Sequence, residues 1–135
     1  MSILQIFNVA GSAVSAQSQR LNTVASNLAN ADTVAGPDGS SFKARQVLFQ
    51  TVPMGDVGAA GVKVAQVVED NTPGRRVHDP KHPSADADGY VTYSNVNAVE
   101  EMVNMISASR SYQTNVEVMA TAKGLMQRTL AIAQS

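Results

Sequence analysis

The sequence predicts an α+β chain: long N- and C-terminal helices that pair as a coiled coil, with a small β-rich insert between them. Three observations carry this. Apolar residues step by three and four along both ends, as heptad seams do. All five Pro and seven of the nine Gly lie between residues 32 and 95. Short β-branched runs separated by turn residues fill that same middle stretch. The expected division is 1–31, a coiled-coil helix; 32–95, a small β-rich domain with loops; and 96–135, a second coiled-coil helix.

In the first segment Ile3, Phe7, Ala10, Val14, Gln17, Leu21, Val24 and Leu28 fall on successive seam positions, broken only by Gln17. Arg20 is the single charged side chain before Asp32. A solvated helix usually carries alternating charges on its outer face. Here that face is Ser, Gln, Asn, Thr and Ala, small neutral groups suited to close contact with neighbouring chains.

The middle segment predicts three strands, at Ser41–Val52, Gly61–Glu69 and Gly89–Ser94. Pro53-Met54-Gly55, Asn71-Thr72-Pro73-Gly74 and Asp79-Pro80-Lys81-His82-Pro83 are turn signals between them. Gly36-Pro37-Asp38-Gly39 is expected as a mobile loop, and the Gly-rich run Gly55–Gly61 as a flexible one. So few large apolar side chains make a β module that is marginal by itself.

In the last segment Ala98, Met102, Met105, Ser109, Tyr112, Val116, Met119, Lys123, Met126, Leu130 and Ala133 again alternate by four and three, and Val99, Val103 and Ile106 widen the stripe. Ser94 or Asn95 is the expected N-cap, with Glu100 and Glu101 where the helix dipole favours acids. Two helices burying one stripe each have little area to offset chain entropy. The pair is therefore expected to gain its stability within a larger helical assembly. The subunit-packing seam comprises Ile3, Phe7, Ala10, Val14, Leu21, Val24, Leu28, Met102, Met105, Ile106, Tyr112, Val116, Met119, Met126 and Leu130.

Composition narrows the function. The net charge is −1 over 135 residues and only 16% are charged, so nothing basic is offered to nucleic acid. The longest apolar runs are far short of a bilayer span, and residues 1–30 lack a basic start followed by an apolar core, so no signal peptide is expected. A membrane-surface helix would need a basic face, which neither end has. Cysteine is absent, which excludes disulfides and thiolate chemistry.

The densest polar cluster is His78, Asp79, His82, Asp86 and Asp88. It has ligand-type groups, but Pro80 and Pro83 break it, and the Asp86-Ala87-Asp88-Gly89 echo of a calcium loop has Asn95 where the bidentate Glu belongs. A rigid, solvated turn is expected, with no metal. No nucleophile elbow and no phosphate-binding loop are present.

Ser26-Asn27-Leu28-Ala29-Asn30-Ala31-Asp32-Thr33, with Phe42-Lys43 after an insert, resembles the hallmark of flagellar rod, hook and hook-associated proteins. Its motif positions here are Asn27, Leu28, Ala29, Asn30 and Thr33. Asp79-Pro80-Lys81-His82-Pro83, Ala87-Asp88-Gly89-Tyr90-Val91, Asn95-Val96-Asn97, Glu100–Ile106, Ser109-Arg110-Ser111-Tyr112 and Asn115 resemble a proximal-rod branch of that family. The resemblance implies export by the flagellar type III apparatus without a cleaved signal, and helical polymerisation in the periplasm as a basal-body drive shaft. It also implies neighbours that are further copies of itself, rod proteins of the FlgB, FlgF and FlgG kinds, and the MS-ring adaptor FliE. Torque transmission is then the role, with no catalysis, no cofactor, no nucleic acid and no direct membrane span.

Overall fold

The computed structural model describes residues 2–55 and 58–135. In chain order the elements are α1 (Ile3–Ala29), β1 (Arg45–Pro53), β2 (Ala60–Glu69), β3 (Arg76–His78), β4 (Tyr90–Thr92) and α2 (Ala98–Ala133). At 1.5 Å per residue α1 is about 40 Å long and α2 about 54 Å.

Each helix has a side-chain start signal. The Ser2 hydroxyl accepts the Gln5 N–H at 3.1 Å while Gln5 Oε1 accepts the Ser2 N–H at 2.8 Å. That reciprocal pair is a capping box. At α2 the cap is Asn97, whose Oδ1 accepts the N–H groups of Val99 at 3.1 Å and Glu100 at 3.3 Å. Ser94 and Asn95, the expected caps, are used elsewhere. The Ser94 hydroxyl donates to the Ala31 carbonyl at 2.7 Å, and Asn95 holds loop backbone as described below.

The insert forms two two-stranded sheets, β1–β2 and β3–β4. The expected strands are all present but shifted: residues 41–44 precede β1, β2 opens one residue early, and the strand expected over 89–94 shortens to Tyr90–Thr92. β3 was not expected, because Arg76-Val77-His78 is too short to show a period. It pairs antiparallel with β4 in the register Arg76↔Thr92, Val77↔Val91 and His78↔Tyr90. The segment expected as a mobile loop is instead a closed turn. The Gly36 N–H donates to the Ser40 carbonyl, and Asp38 accepts the Ser40 N–H and hydroxyl. Gly39 has φ +79°, which its missing Cβ permits. The loop expected over Gly55–Gly61 contains Asp56 and Val57, which lie outside the described residues.

The chain packs as two compact units, Met1–Leu21 with Val47–Gln66 and Ile106–Ser135, and Asn22–Gln46 with Val67–Met105. In the first, the buried apolar side chains include Ala10, Ala16, Ala59, Ala108 and Ala122. Small residues let backbones approach closely: a Cβ placed on Gly11 would lie 3.7 Å from Met119 Cε, an ordinary contact. The Gln17 Oε1 atom is buried without a hydrogen-bond partner. In the second unit Val91 and Val24 are buried beside the polar Asn27, Ser94 and Glu101.

Candidate assembly site

The motif residues build a hinge of hydrogen bonds in the second unit. Asn27 is 0% exposed. Its Oδ1 accepts the Arg45 N–H at 2.9 Å, and its Nδ2 donates to the Arg45 carbonyl at 2.8 Å and to Glu101 Oε2 at 3.0 Å. One side chain from the last turns of α1 thus satisfies both backbone groups of a strand residue, as a neighbouring strand would. Asn95 repeats the device. Its Oδ1 accepts the Ala44 N–H at 2.7 Å, and its Nδ2 donates to the carbonyls of Asp70 and Thr72. Asn30 Nδ2 donates at 2.9 Å to the Ser26 carbonyl, which also accepts the Asn30 N–H, and the Thr33 hydroxyl donates to Asn30 Oδ1. Leu28 is half-buried and Ala29 exposed.

This hinge accounts for the motif in physical terms. Buried amides are costly unless paired, and here each amide is paired to backbone. Sequence reading identified Asn27, Asn30 and Thr33 but missed Glu101 as the buried partner of Asn27. An acid in the first turn of a helix is explained by the dipole alone, so nothing local marks it as inward.

The expected seam divides. On α1, Ala10 and Val24 are buried and Ile3, Phe7, Val14, Leu21 and Leu28 half-buried. On α2, Met105, Tyr112, Met119 and Met126 are half-buried, whereas Met102, Ile106, Val116 and Leu130 are exposed. The inward positions alternating with the first group are Glu101, Ala108 and Ala122, one residue away from the expected Met102, Ser109 and Lys123. Alanine and a paired carboxylate fit between the inward Met105, Tyr112, Met119 and Met126, while Met102, Ile106, Val116 and Leu130 turn outward. Val99 is 70% exposed, Val103 61%, Leu130 61% and Ile132 75%. α2 therefore carries apolar side chains on sides turned away from the interior of the chain as well as toward it, next to exposed polar groups such as Arg110 and Glu117. Among the described residues no helix is long and apolar enough to cross a membrane.

The His78–Asp88 cluster is the loop of the β3–β4 hairpin, and Asp86 organises it. Oδ1 accepts the N–H groups of Tyr90 at 2.9 Å and Asp88 at 3.0 Å, and Oδ2 accepts from Arg76 at 3.0 Å. The Tyr90 N–H, with Arg76 and the Asp88 N–H, holds the Asp86 carboxyl below its ordinary range. The Ser84 N–H donates to His82 Nδ1, and the His78 ring meets Tyr90 edge-on at 5.0 Å. Among the described residues no three His, Cys, Asp or Glu side chains are grouped to hold a metal ion.

A hinge of asparagines between a helix of low charge and a strand, with a second helix that leaves many large apolar side chains exposed, fits a structural assembly subunit. The family described as "Flagella basal body rod protein" matches residues 7–37, and "Flagellar basal body rod FlgEFG protein C-terminal" matches residues 87–132. The flagellar basal-body rod protein FlgC of Yersinia enterocolitica is 57% identical over 134 residues, covering 99% of this chain and 100% of the relative. That of Escherichia coli O157:H7 is 55% identical and that of Salmonella typhimurium 54%, each with the same coverage. The chain belongs to the FlgC family of flagellar basal-body rod proteins, structural subunits of the rod.

Proposed function

We propose that this chain is a proximal-rod subunit that polymerises helically with further copies of itself and with FlgB-, FlgF- and FlgG-type rod proteins and the adaptor FliE, forming a periplasmic shaft that transmits torque. The observation that carries this reading is the set of large apolar side chains that α2 leaves exposed. Side chains such as Val99, Met102, Val103, Val116, Leu130 and Ile132 are exposed in the single chain, and burying them stabilises by about 25 cal/mol for each Å² of apolar surface removed from water. Neighbouring subunits supply that burial. α1 and α2 pair as a coiled coil, which the approach of Met119 to Gly11 and the Asn27–Glu101 hydrogen bond support within their respective units.

In this reading the 32–95 segment forms a β-rich outer module, and the helical ends order fully on assembly, with contacts to adjacent subunits offsetting the ordering entropy. An open shaft requires different patches on the two sides of each subunit. The chain reaches the periplasm through the flagellar type III export apparatus without a cleaved signal peptide. Leu21→Asp or Val116→Asp is expected to abolish incorporation into the rod while the chain is still exported. Normal motility in both variants would contradict the seam.

A further inference from the structure

We propose that Gln17 is a weak point built into the seam of α1, one that keeps this helix from closing on α2 in the free chain and leaves the ends open until neighbouring subunits hold them shut. The inference rests on the rod reading above, in which the helical ends order on assembly.

Gln17 is the polar break in the seam of α1. It stands close to two full turns from Ala10 on one side and from Val24 on the other, so the three share one side of the helix. Ala10 is 4% exposed and Val24 5%. Gln17 Oε1 is buried as well, and among the described residues it is the buried side-chain oxygen or nitrogen left without a hydrogen-bond partner. The adjacent seam positions Val14 and Leu21 are apolar, so they offer a bridging water none of the several polar partners it needs. Asn27, further along the same helix, shows the contrast: that buried amide makes hydrogen bonds through both its oxygen and its nitrogen. Asn27 fastens its end of α1, and Gln17 loosens the middle.

A buried acceptor without a partner gives up the hydrogen bond that water supplies in the open chain, which moves the balance toward the open state by about tenfold. The first compact unit has little to set against that shift. Its buried apolar side chains among the described residues are alanines, Ala10, Ala16, Ala59, Ala108 and Ala122, and each covers little area.

Circular dichroism of the purified full chain along a trimethylamine N-oxide titration tests this, since that osmolyte strengthens burial. Gln17→Met keeps the length and helix propensity of the side chain and removes the amide. It should reach its helical plateau at lower osmolyte, with the ratio of closed to open chain raised about tenfold at a given concentration. Gln17→Glu puts a charge at the same place and should need more osmolyte than the native chain. Gln127→Met, the same exchange at an exposed position of α2, should stay within about threefold of the native ratio. Should Gln17→Met associate in sedimentation velocity runs, the Glu exchange decides alone. A native chain fully helical without osmolyte, a Gln17→Met curve that matches the native one or moves to higher osmolyte, or a Gln17→Glu curve equal to the native one would each overturn the proposal. Recovery of the native chain in isolated basal bodies reports on the rod reading separately, so the two failures are told apart.

Discussion

α1 and α2 were both readable as seams, yet they use their apolar residues differently. On α1 the seam positions are buried or half-buried, and the remaining surface is mostly small and polar apart from Leu4, Ile6 and Arg20. On α2 the large side chains are spread over all sides, and the positions buried within the chain include Ala108, Ala122 and the carboxylate Glu101. One helix keeps its seam within its own fold. The other gives the fold its alanines together with Met105, Tyr112 and Met119, and leaves a second set of large apolar side chains, among them Met102, Val103 and Leu130, exposed. Burial within one chain and apolar character are thus separate quantities, and their mismatch on α2 is the signal of assembly.

The sharpest way to break this contrast is at the hinge. Asn27→Leu keeps the branched shape but leaves the Arg45 N–H, the Arg45 carbonyl and Glu101 without this partner. Urea denaturation should show a loss of about 3 kcal/mol. A loss under about 1 kcal/mol would mean that water replaces the amide and that the hinge is not what fixes the entry into β1.

A second test sets the helices side by side. Val24→Ala removes a side chain that is only 5% exposed and should cost about 2 kcal/mol. Met102→Ala, on the outward side of α2, should change unfolding by no more than about 0.5 kcal/mol while lowering rod incorporation. Equal costs would erase the distinction between the two helices.

Gly124 lies within α2 with open space where a Cβ would stand. Gly124→Ala should stabilise the isolated chain by about 1 kcal/mol. A destabilisation would show that the helix needs the glycine for a close approach inside the chain.

The smallest effect is expected at the β3–β4 hairpin. The carboxyl of Asp86 is held below its ordinary range, so its contribution is present above the unfolded value near about pH 4 and is lost as pH falls through the depressed folded value. Amide signals of Asp88 and Tyr90 followed by NMR should stay fixed from neutral pH to about pH 4 and shift below it. Asp86→Asn should remove that acid transition.

What the sequence disclosed follows from which signals are local. Heptad spacing located both helices to within about two residues of their ends, and β-branched runs located β1, β2 and β4. β3 escaped because three residues carry no period and its partner is fixed by a long loop that Asp86 closes. The cap at Asn97 was missed because Ser94, Asn95 and Asn97 are all good caps. Only tertiary contacts assign Ser94 to Ala31 and Asn95 to the loops around Ala44 and Asp70. The motif asparagines stood out as a pattern, while their partners, Arg45 backbone and Glu101, are distant in sequence. On α2 the period was right and the phase of one half was off by one residue, because Glu101 is drawn inward by its hydrogen bond to Asn27 and Ala108 and Ala122 fit between the larger inward side chains.

The central claim is that the outward apolar residues of α2 serve neighbours and not the chain's own fold. A paired measurement on Met102→Asp/Leu130→Asp tests it most directly: thermal unfolding of the purified chain, and its recovery in isolated basal bodies. The account predicts an unchanged melting temperature with incorporation lost. A lowered melting temperature with incorporation and swimming retained would contradict it.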